Sequence, residues 1–271
     1  MSEVVRGYYD EHALQEWHRL DDPYSRIEFM STLTLLRRYL PTSGHVCDIG
    51  SGPGKYAIEL LKQGYQATLF ELSARELELA QIKIQEAGLH AEDYICEDAR
   101  NLHVLNSSFY DAVLVLGPLY HVRNLVERHS IIQEAFRVLK PGGVAIFSYI
   151  NAWGVLKAGV SEFSEAYRDI EYIYDYLQEI ELDENRGFTE CYFATPVEAR
   201  AEVLQGGFEI VTYAGAEGFL AGMRTDVTRL YREDRTVYDN LLQAASDTCE
   251  SPQYRDATEH LVIVAVKRHG D

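Results

Sequence analysis

The chain has 271 residues, 46% hydrophobic and 25% charged, with 43 acidic against 25 basic side chains and a formal net charge of −18. That composition is that of a folded globular protein, long enough for one large domain or for a core domain with an insertion, and we expect the second. A surface this acidic repels phosphate backbones, which argues against nucleic acid as a partner and favours small or cationic ones.

Cys47, Cys96, Cys191 and Cys249 form no CxxC pair and have no histidine cluster beside them, so no metal site and no disulfide framework are expected. No apolar run approaches the roughly 20 residues of a membrane span. The start MSEVVRGYYDEHALQEW lacks the charged and apolar regions of a signal peptide. A cytoplasmic protein with no membrane partner is the expectation.

Residues 1–40 read as a helical N-terminal arm. Its segment RGYYDEHALQEWHRLDDPY carries Tyr8, Tyr9, Trp17 and Tyr24, and the spacing of Ile27, Met30, Leu33, Leu36 and Leu40 predicts a helix closed by Pro41 and Gly44. From His45 strands and helices alternate. HVCDI is a short buried strand, GKYAIELLKQG a helix ended by Gly64, and YQATLFE a second strand. Ser73 and Glu76 make an S-x-x-E capping box, opening a helix with Leu77, Ala80 and Ile84 on one face and Gly88 as its stop. DYICE and YDAVLVLG are the third and fourth strands, a helix spans about 123–139, and VAIFSYI follows the turn KPGG as the fifth strand.

The rhythm breaks after Ile150. Residues 151–194 are rich in Tyr, Glu and Asp and predict an inserted helical cap. The core resumes with Thr195, Pro196 and Glu198 as a second capping box, GGFEIVTYAG as a sixth strand, a helix over about 226–246 and HLVIVAVKR as the last strand. Parallel strands need long right-handed crossovers. We therefore expect an α/β fold, doubly wound and Rossmann-like, with a mostly parallel seven-stranded sheet and helices on both faces. Its parts are the arm (1–40), a ligand-binding core (41–150), the cap (151–194) and a segment completing the sheet (195–271).

The turn DIGSGPG carries the first chemical signal. Glycines at 50, 52 and 54 let a ligand approach the main chain, but their spacing is not the G-x-G-x-x-G of a dinucleotide site. Asp48, before the first glycine, would repel a pyrophosphate and attract an ammonium. Glu71 ends the second strand, where a carboxylate can accept from both ribose hydroxyls, and Asp98 follows the third, within reach of an adenine amino group. Each acid alone reads equally as a solvated strand end or a helix cap. Three at successive strand ends, on the edge where open α/β sheets bind ligands, favour a ligand role.

With these residues the chain resembles the class I S-adenosylmethionine-dependent methyltransferases. The matching segments are VCDIGSGPG, LFELS, CEDAR, YDAVLVLGPLYH and AFRVLKPGGVAIFS. The resemblance implies S-adenosylmethionine as cofactor, with Asp48, Gly50 and Gly52 toward the methionine end, Glu71 and Leu72 at the ribose, Asp98 and Ala99 at the adenine, and Leu116 beneath the reactive end. It also implies that the arm folds over the cofactor, bringing Tyr8 to the sulfonium.

The fourth strand ends in LGPLYH, which places Tyr120 and His121 near the transferred methyl group. His121 reads either as a base for the acceptor's proton or as a capping or packing residue. The sequence lacks the Asn/Asp-Pro-Pro-Tyr/Phe motif of enzymes that methylate amino groups of bases. The expectation is in-line methyl transfer to a small-molecule acceptor. Its alternatives are an NAD-dependent oxidoreductase and a non-catalytic cofactor-binding module. Acceptor and oligomeric state leave no signature in these residues.

Overall fold

The computed structural model describes residues 2–268. Two helices precede the sheet: α1 (Glu3–Arg19), capped by the Ser2 side chain, and α2 (Ser25–Tyr39). The alternating region then runs β1 (His45–Ile49), α3 (Lys55–Lys62), β2 (Gln66–Glu71), α4 (Ala74–Glu86), β3 (Asp93–Cys96), β4 (Tyr110–Val115), α5 (Leu125–Val138) and β5 (Leu139–Asn151). Next come α6 (Ala152–Glu162), α7 (Ile170–Asp175), β6 (Ile180–Leu182) and β7 (Cys191–Ala194). The chain ends with α8 (Pro196–Gln205), β8 (Glu209–Gly215), α9 (Arg224–Glu233), α10 (Arg235–Asp247) and β9 (His260–Val266).

The sheet order is β3-β2-β1-β4-β5, with β9 and then β8 continuing beyond β5. The first five strands are parallel to their neighbours, while β9 is antiparallel to both β5 and β8. Successive side chains of a strand face opposite sides. In β1 this sends Cys47 and Ile49 to a core shared with Ile131, Ile132 and Ala135 of α5, and Val46 to one shared with Leu33 and Leu36 of α2. Both faces are covered, which is why most side chains of the central strands are apolar and even polar ones such as Asp48 and Thr68 are buried. Arg128 of α5 and Glu202 of α8 pair inside one layer at 2.7 Å, with Tyr149 donating to the same carboxylate.

The fold class is the expected one, and the seven expected strands are present. Two features differ. The 151–194 segment is not helical throughout, because its second half forms the antiparallel hairpin β6–β7. Ile180 and Leu182 are buried around exposed Glu181, a period of two that the tyrosine-rich helical half obscured. Ile150 pairs with His260 of β9 on one side and with Phe193 of β7 on the other, so the hairpin lies on the β4 side of β5, past the last β4–β5 pair, Val115 with Phe147. The expected helix over 226–246 is two helices, α9 and α10. Asp234 breaks them apart (φ −146°, ψ 87°) and caps α10 by accepting from the N–H of Val237.

Two capping expectations also change. Thr195 makes no side-chain cap bond, so the second capping box does not form. At α4 only half of the first one does. Ser73 Oγ accepts from the N–H of Glu76, but the N–H of Ser73 goes to Glu71 Oε1 at 2.8 Å, leaving the Glu76 carboxyl no reciprocal bond.

Candidate active site

The carboxyl ends of the parallel strands open into a cavity of about 330 Å³, roofed by α1. Its floor is the turn between β1 and α3. The N–H groups of Gly50 and Ser51 donate to the carbonyl of Phe70, and that of Gly52 donates to Glu71 Oε2 at 2.9 Å, tying the turn to β2. Gly50 (φ +74°) faces Pro118, whose Cδ would lie 2.5 Å from a β-carbon there. Gly52 (φ +52°) is open, with Glu76 Oε2 as the nearest atom to a β-carbon, at 3.6 Å.

Glu71 and Leu72 line the cavity beside this turn, and Ala99 and Leu116 line it from the ends of β3 and β4. Tyr8, Tyr120 and His121 reach it from α1 and from the turn after β4. Asp48 and Asp98 do not line it. Asp98 instead caps the short 3-10 turn at Ala99–Val104, its carboxylate accepting from the N–H and guanidinium of Arg100. Asp48 is buried in β1, and neither of its oxygens has a partner among the described residues. Burial, reinforced by the Glu71 charge, pushes its carboxyl up to about 7.

The sequence marked Glu76 only as the acid of a capping box. Deprived of its capping role, this carboxyl turns to the cavity, with Oε1 unpartnered, and burial together with Glu71 and Glu16 pushes it up to about 10. Arg19 and His260 also line the cavity. Glu217 lies 43 residues from His260, and Arg19 and Glu28, nine residues apart, sit on different helices, so no local motif marks the group. These side chains are engaged as ion pairs: Arg19 with Glu28, and His260 with Glu217 at 2.6 Å.

The corner around His121 is aromatic. His121 Nδ1 donates to the carbonyl of Glu190 at 3.2 Å, which leaves the Nε2 lone pair to accept from the Tyr9 hydroxyl at 2.6 Å. Burial lowers the His121 ring to about 4, so it is neutral through the physiological range. Tyr120 packs edge-on against it at 4.7 Å and Phe188 at 5.6 Å, while Tyr8 packs against Tyr9 at 5.2 Å. Tyr9 was visible in the sequence only as one more aromatic of the arm. Glu190 and Phe188 come from the 151–194 segment, whose hairpin brings them over β4. Trp17, by contrast, packs on the α3–α4 core beneath Lys55 and Lys83.

An adenosyl sulfonium ligand needs carboxylate acceptors, an approachable backbone and a place for a cation. The cavity answers with the Glu71 strand end, the open α-carbon of Gly52 and the aromatic faces of Tyr8 and Tyr120. Residues 47–147 match a family model described as a methyltransferase domain. Over those residues the chain carries a methyltransferase domain of the S-adenosylmethionine-dependent kind.

This methyltransferase takes S-adenosylmethionine as its cofactor. It is 26% identical over 136 residues to the putative methyltransferase YqeM of Bacillus subtilis, covering 50% of this chain and 54% of that one, about half the relative's length. The tRNA 5-carboxymethoxyuridine methyltransferase of Escherichia coli K12 is 24% identical over 229 residues, covering 84% of this chain and 81% of its own. The crystal structure of the Burkholderia thailandensis 1,6-didemethyltoxoflavin-N1-methyltransferase, with 1,6-didemethyltoxoflavin and S-adenosylhomocysteine bound, superposes with a TM-score of 0.60 at 14% identity. It covers 98% of this chain and 88% of that one, a likeness of fold. That domain displaces the dinucleotide oxidoreductase as an alternative. No helix among the described residues is long and apolar enough to cross a membrane.

Proposed function

We propose that the chain methylates a small molecule held in the cavity between α1 and the carboxyl edge of the sheet. The observation that carries this reading is the division of that cavity. The glycine turn, Glu71, Leu72 and Ala99 occupy one half, and Tyr9, Tyr120 and His121 the other, under a roof of the same chain. Gly52 and Glu71 would hold the ribose and methionine end, Leu72 and Ala99 the adenine, and Leu116 and Tyr8 the sulfonium end. Asp48 and Asp98 would act from behind, by charge and by fixing the turns.

When bound, S-adenosylmethionine supplies a methyl group already activated on a sulfonium, so the protein needs no covalent catalyst. The chain's own work is to orient the acceptor and exclude water, which by itself is worth several powers of ten. The Tyr9 hydroxyl, hydrogen-bonded to His121 Nε2 at 2.6 Å, takes up the proton the acceptor releases as it passes its own to that nitrogen. A ring lowered to about 4 is a weak base, and a weak base suffices, because an O–H or N–H becomes strongly acidic as the methyl group arrives.

The relative that acts on tRNA gives a second reading, an RNA acceptor. A net charge of −18 and the aromatic enclosure of the cavity favour the small molecule. Release of S-adenosylhomocysteine decides between them. We expect turnover with members of a metabolite panel and none with bulk tRNA, and turnover confined to tRNA overturns the proposal.

A further inference from the structure

Beyond the aromatic corner the cavity holds a row of charges that neither the cofactor nor His121 employs. His260 opens β9, paired with Ile150 of β5. Three strands, β1, β4 and β5, separate it from Glu71 on β2, so it stands on the half of the sheet away from the ribose acid. Its Nδ1 lies 2.6 Å from Glu217 Oε1, and its backbone N–H donates to the other oxygen of that carboxylate at 3.1 Å. One acid thus fixes both the ring and its main chain. Glu28 Oε2 stands 3.8 Å from the same Nδ1, and Arg19 completes the row with two bonds to Glu28, at 2.8 and 3.3 Å.

With Nδ1 committed to Glu217, the other ring nitrogen is left over. Nε2 makes no hydrogen bond to any described residue, and the ring lines the cavity. Burial would discharge it, but the carboxylates of Glu28 and Glu217 hold it up to about 9. Nε2 therefore carries a proton at neutral pH and is a donor without an acceptor. Arg19 and His260 are both held by carboxylates, Glu28 with Glu16 on the one and Glu217 on the other, so a ligand arriving here meets a directed N–H rather than a broad positive field.

We propose that the Nε2–H of His260, braced by Glu217, binds a carboxylate of the methyl acceptor, so that the enzyme selects acidic acceptors over their neutral counterparts. This rests on the reading of the cavity as the methyl-transfer site. Of the other acids that line the cavity, Glu76 is raised to about 10 and is protonated at neutral pH, Glu16 shares Arg19 with Glu28, and Glu71 and Glu97 stand away from His260, at the end of β2 and after β3. The cofactor's own cation adds attraction for an anion on the far side. Charge-assisted bonds of this kind are short and strong, and a carboxylate that replaces water on Nε2 gains the full directional contact.

Histidine labelled with carbon-13 at Cε1 makes the site observable, the His260 signal being the one lost in His260→Gln. Protein loaded with S-adenosylhomocysteine is titrated with 4-hydroxybenzoate and, separately, with its neutral isostere 4-hydroxybenzamide. The expected result is a shift of the His260 signal with the acid and not with the amide. His260→Gln should weaken the acid about tenfold or more and leave the calorimetric affinity for S-adenosylhomocysteine unchanged. Glu217→Gln, which keeps the imidazole but frees it, should lose the same preference. Equal responses to the two probes, or no response to the acid up to its solubility limit, overturn the proposal. Failure of the wild-type protein to bind S-adenosylhomocysteine overturns instead the assignment of the cavity on which it rests.

Discussion

Tyr9 and His121 stand 112 residues apart in the chain and are joined by a 2.6 Å hydrogen bond between the phenol and Nε2. Through it α1 closes on the aromatic corner, and the same helix is pinned at its middle, where Ser73 Oγ donates to Asp10 at 2.6 Å, and beyond its end, where Lys55 meets Asp21 at 2.5 Å. The roof of the cavity is therefore held from three elements of the core. Its contact with His121 is the one that involves the chemistry.

Tyr9→Phe removes that contact and leaves Nε2 of His121 buried without a donor. The cost is about 1 kcal/mol or somewhat more of stability, since an abandoned buried acceptor forfeits its solvation. Hydrogen exchange should show α1 amides exchanging faster while the central strands stay protected. Unchanged α1 protection would show that the arm is held without Tyr9.

The two cavity histidines are tuned in opposite directions, and stability against pH should reveal both. His121 is depressed to about 4 in the fold. Between there and the ordinary value of about 6.5 the unfolded chain binds more protons, so this contribution is present above 6.5 and lost as pH falls through 4, by up to about 3 kcal/mol. His260 is raised to about 9, so its contribution is full below about 6.5 and disappears as pH rises through 9. Denaturant midpoints measured across pH should therefore fall on both flanks. His121→Asn should flatten the acid flank, and His260→Gln should flatten the alkaline flank while also softening the acid one somewhat, because His260 helps hold the Glu28 carboxyl low. An alkaline flank that persists in His260→Gln, or an acid flank unchanged in His121→Asn, contradicts the assignment.

Gly50 and Gly52 separate fold from ligand. A β-carbon on Gly50 runs into Pro118 Cδ at 2.5 Å, on top of its left-handed φ of +74°, so Gly50→Ala should destabilise by about 2 kcal/mol or more. On Gly52 the β-carbon meets nothing nearer than 3.6 Å, and only the φ of +52° costs, about 1 kcal/mol. Gly52→Val should thus remain folded by circular dichroism yet fail to bind S-adenosylhomocysteine. Retained affinity would show that the turn is merely a turn.

The strand ends were legible because local chemistry produces them. A buried run, a glycine turn and a terminal acid are neighbours in sequence, and the alternation that follows allows few topologies. The hairpin of residues 180–194 was hidden, since its two-residue period is short and follows a tyrosine-rich helical stretch. The acid of Glu76 was visible but misassigned: a capping box predicts where that carboxyl points only if the cap N–H is free, and Glu71 takes it. Arg19, Glu28, Glu217 and His260 belong to no recognisable motif, because the group is assembled from α1, α2, the turn after β8 and β9.

Glu71 is the side chain on which the proposed cofactor half depends most. Its carboxylate accepts from the N–H of Gly52 at 2.9 Å and of Ser73 at 2.8 Å, so it braces the glycine turn and the start of α4 together. Burial pushes the group up, and the backbone donors from Ser73 and Gly52 pull against that shift. Glu71→Ala deletes both the brace and the acceptor for the ribose hydroxyls, and should weaken S-adenosylhomocysteine binding by about 1 to 3 kcal/mol. Glu71→Gln tells the two roles apart. Its amide oxygen still accepts one backbone bond, so the thermal midpoint should recover more than the affinity, the lost charge being felt by the ligand. Calorimetry finding wild-type affinity in Glu71→Ala would remove this residue from the site and move the ribose elsewhere on the carboxyl edge.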